Sequence, residues 1–250
     1  TRTQVGRDEL ARQIESSFDE NFAGSLQIGR LTGNIRQDLY AVDVKIRDPE
    51  GASVLTIDSV VVRPQWSSLL RRRFSVHEVT LFKPHVRVTW DSTNQSSVMR
   101  ALRRTERPLP TASADDSTNR SSLEDTAPAV LLTTTDWALS NATLNFVDGT
   151  LKTVDLEAPD SLSHVRSNGF DARNLDIAGI QLATIIDWEA SSRQVDVVKL
   201  SASLAQPSID IVEGLAQFRV QSDRILLNGG FIKSSFSTVS IKGFLGTNLQ

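Results

Sequence analysis

His77, His85 and His164 fall in three separate segments, and none has a partner at the H-x-x-x-H or H-x-H spacing that brings two imidazoles to one metal ion. They read as strand or surface residues. Cysteine is absent, which removes disulfide, thiolate-metal and thiol-nucleophile chemistry together. The aspartates of Asp48-Pro49, Asp91-Ser92 and Asp148-Gly149 each follow an apolar alternation. Asp before Pro, Ser or Gly is what a chain reversal uses, so three turns are expected there rather than carboxylate catalysis. No GxSxG, HExxH, Walker A or EF-hand pattern occurs. Residue types and spacing therefore predict no enzyme, no cofactor and no metal.

Two arginine groups could hold phosphate: Arg71-Arg72-Arg73, and Arg100, Arg103, Arg104 and Arg107. Nucleic-acid binders usually combine such groups with net positive charge and exposed aromatics, whereas this chain is at -3 with 6% aromatic residues. No nucleic-acid partner is expected. The second group suits a solvated connector. The first suits either a connector or anionic headgroups, where each basic side chain near the surface is worth about 1 kcal/mol. Charge is unevenly spread, since residues 1–107 carry 17 basic and 13 acidic side chains, +4 in all, and the remainder carry 10 and 17, or -7.

The elements that must position these residues follow from periodicity. Between Val5 and Phe22, Leu10, Ile14, Phe18 and Phe22 recur every fourth residue, which predicts an amphipathic helix with Gly24 as its stop. From Ser25 the period becomes two, as in Leu26 and Ile28 or Val42, Val44 and Ile46, the mark of strands with one wet face. Residues 105–128 are polar and Pro-rich and read as a linker or loop. The organisation predicted is a helix and first β module over 1–104, that linker, and a second β module over 129–250, with Pro or Gly breaks near Gly149, Pro159, Pro207, Gly214 and Gly229-Gly230. No run of 18 apolar residues is present, and a chain starting at Thr1 with Met99 as its one methionine is expected to be a processed protein or an excised fragment.

One frame repeats. With φ an apolar residue, φxφxxφxφ occurs at Leu55/Ile57/Val60/Val62, Phe74/Val76/Val79/Leu81, Trp137/Leu139/Ala142/Leu144 and Phe170/Ala172/Leu175/Ile177, and less cleanly at Val195/Val197/Leu200/Ala202. Its second pair is offset by one extra residue. In a plain strand that offset moves the pair to the opposite face, so burial of all four on one face predicts a β-bulge.

The stretch Gly24 to Leu102 resembles the N-terminal region of the AsmA-like superfamily, in particular its TamB branch. The resemblance rests on a strand ending in L-T-G, on "L-x-x-V-x-V-x-I-x-D-x-x-G" at Leu39 to Gly51, and on the apolar strand Val54 to Val62. It continues through "W-S-S-L-L-x-R-x-F", "V-T-L-F-K-P-H-V-R-V" and a short helix near Val98 to Leu102. "DWALSNATLNFVDGT" and "SSFSTVSIKGFLG" extend it more loosely.

The resemblance implies an all-β, mainly antiparallel fold: a long sheet curled into an open U-shaped hydrophobic trough behind the N-terminal amphipathic helix. It further implies a periplasmic segment, held to the inner membrane by an upstream anchor, that conducts phospholipid acyl chains toward the outer membrane. A link to assembly of outer-membrane β-barrel proteins is the alternative, acting by β-augmentation with such a barrel as partner. The groove would be lined by Val60, Val62, Val79, Leu81, Val86, Val88, Leu144, Phe146, Leu175 and Ile177. Independently, the strands have more apolar faces than one helix can cover, so those faces must close on one another or hold a ligand. A glycan-binding solenoid would need carboxylate pairs beside aromatic platforms, and Trp66, Trp90, Trp137 and Trp188 are dispersed.

Overall fold

A computed structural model of the chain describes residues 2–33, 38–64, 76–93, 95–105, 139–156, 173–188, 193–205, 208–221 and 224–246. Helix α1 spans Arg2–Asn21. The strands are β1 (Ser25–Gly33), β2 (Leu39–Arg47), β3 (Ser53–Pro64), β4 (Val76–Trp90), β5 (Leu139–Asp155), β6 (Asp176–Trp188), β7 (Arg193–Leu204), β8 (Ile209–Val220), β9 (Arg224–Ser234) and β10 (Thr238–Gly246). A five-residue helix, α2, covers Ser97–Ala101 after β4, with the Ser96 hydroxyl accepting from the Met99 N–H as its N-cap.

All ten strands form one open sheet in chain order, β1 to β10. The fold is therefore all-β and mainly antiparallel, with an N-terminal helix. Every neighbouring pair is antiparallel except β4 and β5, which run parallel with Val79 beside Leu144 and Val88 beside Thr153. The two halves are thus one continuous sheet joined at this pair. Of the expected linker 105–128, only Thr105 falls within the described residues, and its N–H donates to the Asn21 carbonyl.

The turns expected at Asp48-Pro49 and Asp91-Ser92 are present, since Asp48 accepts from the Ala52 N–H and Asp91 from those of Thr93 and Gln95. Asp148-Gly149 is not a turn. Asp148 lies inside β5 with φ 57°, and Gly149 is packed beside Pro84. Gly214 and Gly229-Gly230, expected as breaks, likewise lie inside β8 and β9. A residue that tolerates left-handed backbone or lacks Cβ suits a turn and a distorted strand equally, and here the second use prevails. Gly149 leaves room for Pro84, and Gly214 for Leu200. Pro159 and Pro207 lie outside the described residues.

The extra residue of the repeated frame is absorbed in two ways. At the level of the β3 frame there is no bulge from β1 to β4: Ile28 faces Val44, Val44 faces Ile57 and Ile57 faces Pro84, while Arg30 faces Val42, Val42 faces Ser59 and Ser59 faces Phe82. The expected bulge is corrected for the frame Leu55/Ile57/Val60/Val62, whereas at Val76/Val79 and at Leu139/Ala142 the register does shift as expected, opposite Arg63/Pro64 in β3 and against β6; Phe74 and Trp137 lie outside the described residues. Around the β3 frame each strand carries the extra residue at the same level, so the hydrogen-bond register has nothing to slip against. Left-handed backbone at Asp43 (φ 56°), Lys83 (φ 48°) and Asp148 (φ 57°) turns the next residue over instead. The result is a crease shared by neighbouring strands. From β5 to β10 the register does shift, between Phe146 and Gly149, Ala183 and Thr184, Ile211 and Glu213, and Ile241 and Gly243, as bulges require.

Candidate functional site: one apolar face across ten strands

Residues directly opposite in neighbouring strands share a face. Followed partner by partner, one row runs Gly33–Leu39–Val62–Val79–Leu144 through the first half. It continues Thr184–Val197–Ala216–Gly230–Ile241 to the last strand. Thr184 is its one polar member. That side chain is buried and its hydroxyl donates to the Leu144 carbonyl at 3.1 Å, so the row has no unpaired hydroxyl.

The ten residues expected to line a groove all fall on this face. Val62, Val79 and Leu144 belong to the row just traced. Val60, Leu81 and Phe146 are successive partners in the row beside it, which continues to Leu182 and Leu200. Beyond the crease, Val86 and Ile177 flank Leu151 in a row reaching from Leu26 to Ile209. Val88 is paired to Thr153, whose hydroxyl accepts from the Leu175 N–H at 2.6 Å and whose own N–H donates to the Leu175 carbonyl at 2.9 Å.

Only Val60 of these ten is buried, at 9% exposure; the other nine are half-buried. A sealed sandwich would bury them as completely as it buries any core residue. One part of the face is covered. Leu10 and Ala11 of α1 pack against a cluster of Leu31, Ala41, Val44, Ile57 and Val60, with Val62, Val79 and Leu81 at its margin. Four of the expected lining residues are therefore in or beside a small core under the helix.

At the far end of the sheet the same face forms a cavity of about 530 Å³ lined by Val195, Phe218, Val220, Ile225, Leu227, Ile241, Gly243 and Phe244. That size is ordinary for a small-molecule site, which runs about 300–1,000 Å³. Sequence reasoning did not place these residues in the groove. Their strands carry the same frame with glycine in an apolar slot, as Ile209/Ile211/Gly214/Ala216 and Ile225/Leu227/Gly230/Ile232, and a search for four apolar residues passes over them.

The opposite face carries ion pairs beside the exposed apolar side chains of Tyr40, Val42 and Phe82. Arg63 donates to Glu78 at 2.5 Å and lies 3.5 Å from Asp38; the hydrogen bond and charge of Glu78, then the charge of Asp38, hold its guanidinium above the ordinary range. Lys45 pairs with Asp43 at 2.9 Å. At the β3 to α2 end, Arg100 reaches Asp91 at 2.6 Å, Glu50 at 3.0 Å and Asp48 at 3.3 Å. This cluster ties two turns and α2 together, and all three carboxylates are directed at one cation. Hydrogen bonds from the Thr93 hydroxyl and the Gln95 N–H lower the Asp91 carboxyl below its usual range.

Of the histidines, His77 and His85 are exposed on β4, with His85 touching the Thr150 hydroxyl, and His164 lies outside the described residues. Among the described residues no group of three His, Cys, Asp or Glu side chains could hold a metal ion, and no helix is long and apolar enough to cross a membrane. Arg71, Arg72 and Arg73 lie outside the described residues. Neither a family model nor a curated protein matches the chain.

Proposed function

We propose that the chain is a lipid conduit: a periplasmic, membrane-anchored segment of the TamB type whose sheet curls into a trough and carries phospholipid acyl chains along its apolar face. The observation that carries the reading is the unbroken row from Leu39 to Ile241, half-buried over most of its length and ending in an apolar cavity. An acyl chain moving along such a row exchanges one apolar contact for another, at little cost per step. Burying a methylene is worth about 0.8 kcal/mol, so a continuous lining offsets much of the cost of leaving a bilayer. The contact is non-directional and selects weakly among lipids. No catalytic step is part of this function.

Mass spectrometry of lipid co-purifying with the chain tests it, together with photo-crosslinkers at Val88, Leu144 and Leu227, and at Arg87 on the opposite face. Acyl chains captured from the first three and not from Arg87 are expected. Equal labelling at Arg87, or no acyl capture, ends the reading.

One observation favours a second reading, assembly of outer-membrane β-barrel proteins by strand addition. Among the described residues strand β10 has a partner on one side only, β9, and Val239 and Phe244 are more than half exposed. Crosslinks to polypeptide rather than lipid from Val239 would support it.

A further inference from the structure

The two edges of the sheet are treated differently. On β1, the side away from β2 faces α1. There the Ile28 N–H donates to Glu15 Oε1 at 2.5 Å and the Leu26 N–H donates to Asp19 Oδ1 at 3.1 Å. The fit is metrical. Residues four apart on a helix are separated by about 6 Å along its axis, and residues two apart on a strand by about 6.6 Å. Two carboxylates one turn apart thus stand where the carbonyls of a neighbouring strand would stand. The helix also packs Leu10 and Ala11 on the core of the apolar face, while Leu10, Ile14, Phe18 and Phe22 are all half-buried and none is fully buried. Its C-terminal end is fixed by the Ala23 and Gly24 N–H groups, which donate to the Arg103 and Ala101 carbonyls at 2.9 Å each.

Among the described residues no such device covers β10, where Val239, Ile241 and Phe244 are 53%, 43% and 74% exposed. An open edge beside another open edge of the same chain is an invitation to edge-to-edge growth. With eight antiparallel contacts and one parallel contact between them, β1 and β10 run in the same direction. A second copy docking β10 onto β1 would leave a fresh edge at each end, a heterologous contact that does not close.

We propose that α1 is an edge guard. Glu15 and Asp19 imitate the carbonyl row of a strand, and the partner they exclude from β1 is the β10 edge of a second copy of this chain. This stands apart from the lipid reading, which concerns the face and not the edges.

The test is sedimentation velocity of the whole chain over a hundredfold concentration range. The Glu15→Ala/Asp19→Ala variant is expected to grow beyond dimer with concentration where the parent does not, and adding Ile241→Pro in β10 is expected to return it to the parent's mass. Glu15→Gln/Asp19→Asn keeps an acceptor oxygen at each position and is expected to behave as the parent. An alanine variant whose mass matches the parent throughout, growth that Ile241→Pro leaves unchanged, or growth of the amide variant equal to that of the alanine variant each overturns the proposal. Should the alanine variant fail to fold, hydrogen exchange of the parent decides: the Leu26 and Ile28 amides are expected to exchange at least tenfold more slowly than the edge amides of β10, and equal rates sink the guard.

Discussion

Lys83 in β4 and Asp148 in β5 stand level across the parallel pair, one step beyond Phe82 and Val147, and both hold left-handed backbone, with φ 48° and 57°. Two neighbouring strands therefore spend strain at one level, so that Leu81 and Pro84 on one, and Phe146 and Gly149 on the other, present side chains or close backbone to the same face. A left-handed residue with a Cβ costs about 1–2 kcal/mol, and glycine there gives back part of that as entropy, about 0.5–1 kcal/mol.

The first prediction follows from that strain. Lys83→Gly and Asp148→Gly are each expected to be neutral or stabilising by up to about 1 kcal/mol, while Lys83→Val, branched at Cβ, is expected to destabilise by about 1–3 kcal/mol. Urea denaturation midpoints measure all three. Glycine variants that lose stability as valine does would mean that the backbone at the crease is not left-handed.

This crease also marks how far the sequence could be read. Leu10, Ile14, Phe18 and Phe22 spell the helix because a period of four has one structural meaning. Leu55, Ile57, Val60 and Val62 spell a strand with an extra residue, and their common face is what β3 shows. Asp148 was legible only as a residue fit for left-handed backbone, a property shared by turns and creases. Whether a strand slips or its neighbours carry the same insertion depends on their register, which one strand does not encode. The parallel seating of β5 beside β4 is a long-range choice of the same kind. Lining residues in the first half were legible as apolar alternation, whereas Phe218 and Leu227 were hidden because Gly214 and Gly230 occupy apolar slots in their strands.

Arg100 yields a second prediction. Its guanidinium is 15% exposed and faces Asp48, whose side chain is fully buried and also accepts from the Ala52 N–H. Burial alone lowers its proton affinity, and the hydrogen bond to Asp48, the charge of Glu50 and the bond and charge of Asp91 outweigh it, so the net shift is upward. Removing the cation leaves Asp48 buried without its partner. Arg100→Ala is expected to cost about 2–3 kcal/mol, and Arg100→Lys, which has no fork to span three carboxylates, to recover only part of it. Thermal unfolding of the two variants checks the order. A loss of under 0.5 kcal/mol, roughly what an exposed pair contributes, would contradict a tying role.

Asp91 supplies a pH dependence whose sign is fixed by its partners. Its folded-state carboxyl is lowered by the Thr93 hydroxyl and then the Gln95 N–H, so the folded protein binds that proton less readily than the unfolded chain does. The stability it contributes is fully present above the unfolded value, about 3.9, and is lost as pH falls through the lower folded value. Asp91→Asn is therefore expected to be less stable than the parent at pH 7 by an amount that stays constant down to about pH 5 and shrinks below about pH 4. Denaturation at closely spaced pH values measures the difference. A gap that widens on acidification would reverse the assignment.

The last prediction separates a conduit from a pocket. Under the lipid reading, Leu144 sits midway in the row, with Val79 on one side and Thr184 on the other, and it is half-buried, so a carboxylate there keeps some water. Leu144→Asp is expected to leave the sheet folded and to interrupt the apolar path, because an acyl chain crossing it must pass an ion that cannot be desolvated without a cost of several kcal/mol. Lipid supplied by donor vesicles would then still crosslink at Val88, in the first half, while capture at Leu227, in the last strands, falls at least tenfold. If the cavity beside Phe218 and Leu227 fills directly from solution, capture at Leu227 is unchanged and the sheet is a binding surface with one site. The two outcomes differ because a row is useful for transport only if it is continuous, and Leu144 is the place where continuity between the halves rests on the parallel pair β4 and β5.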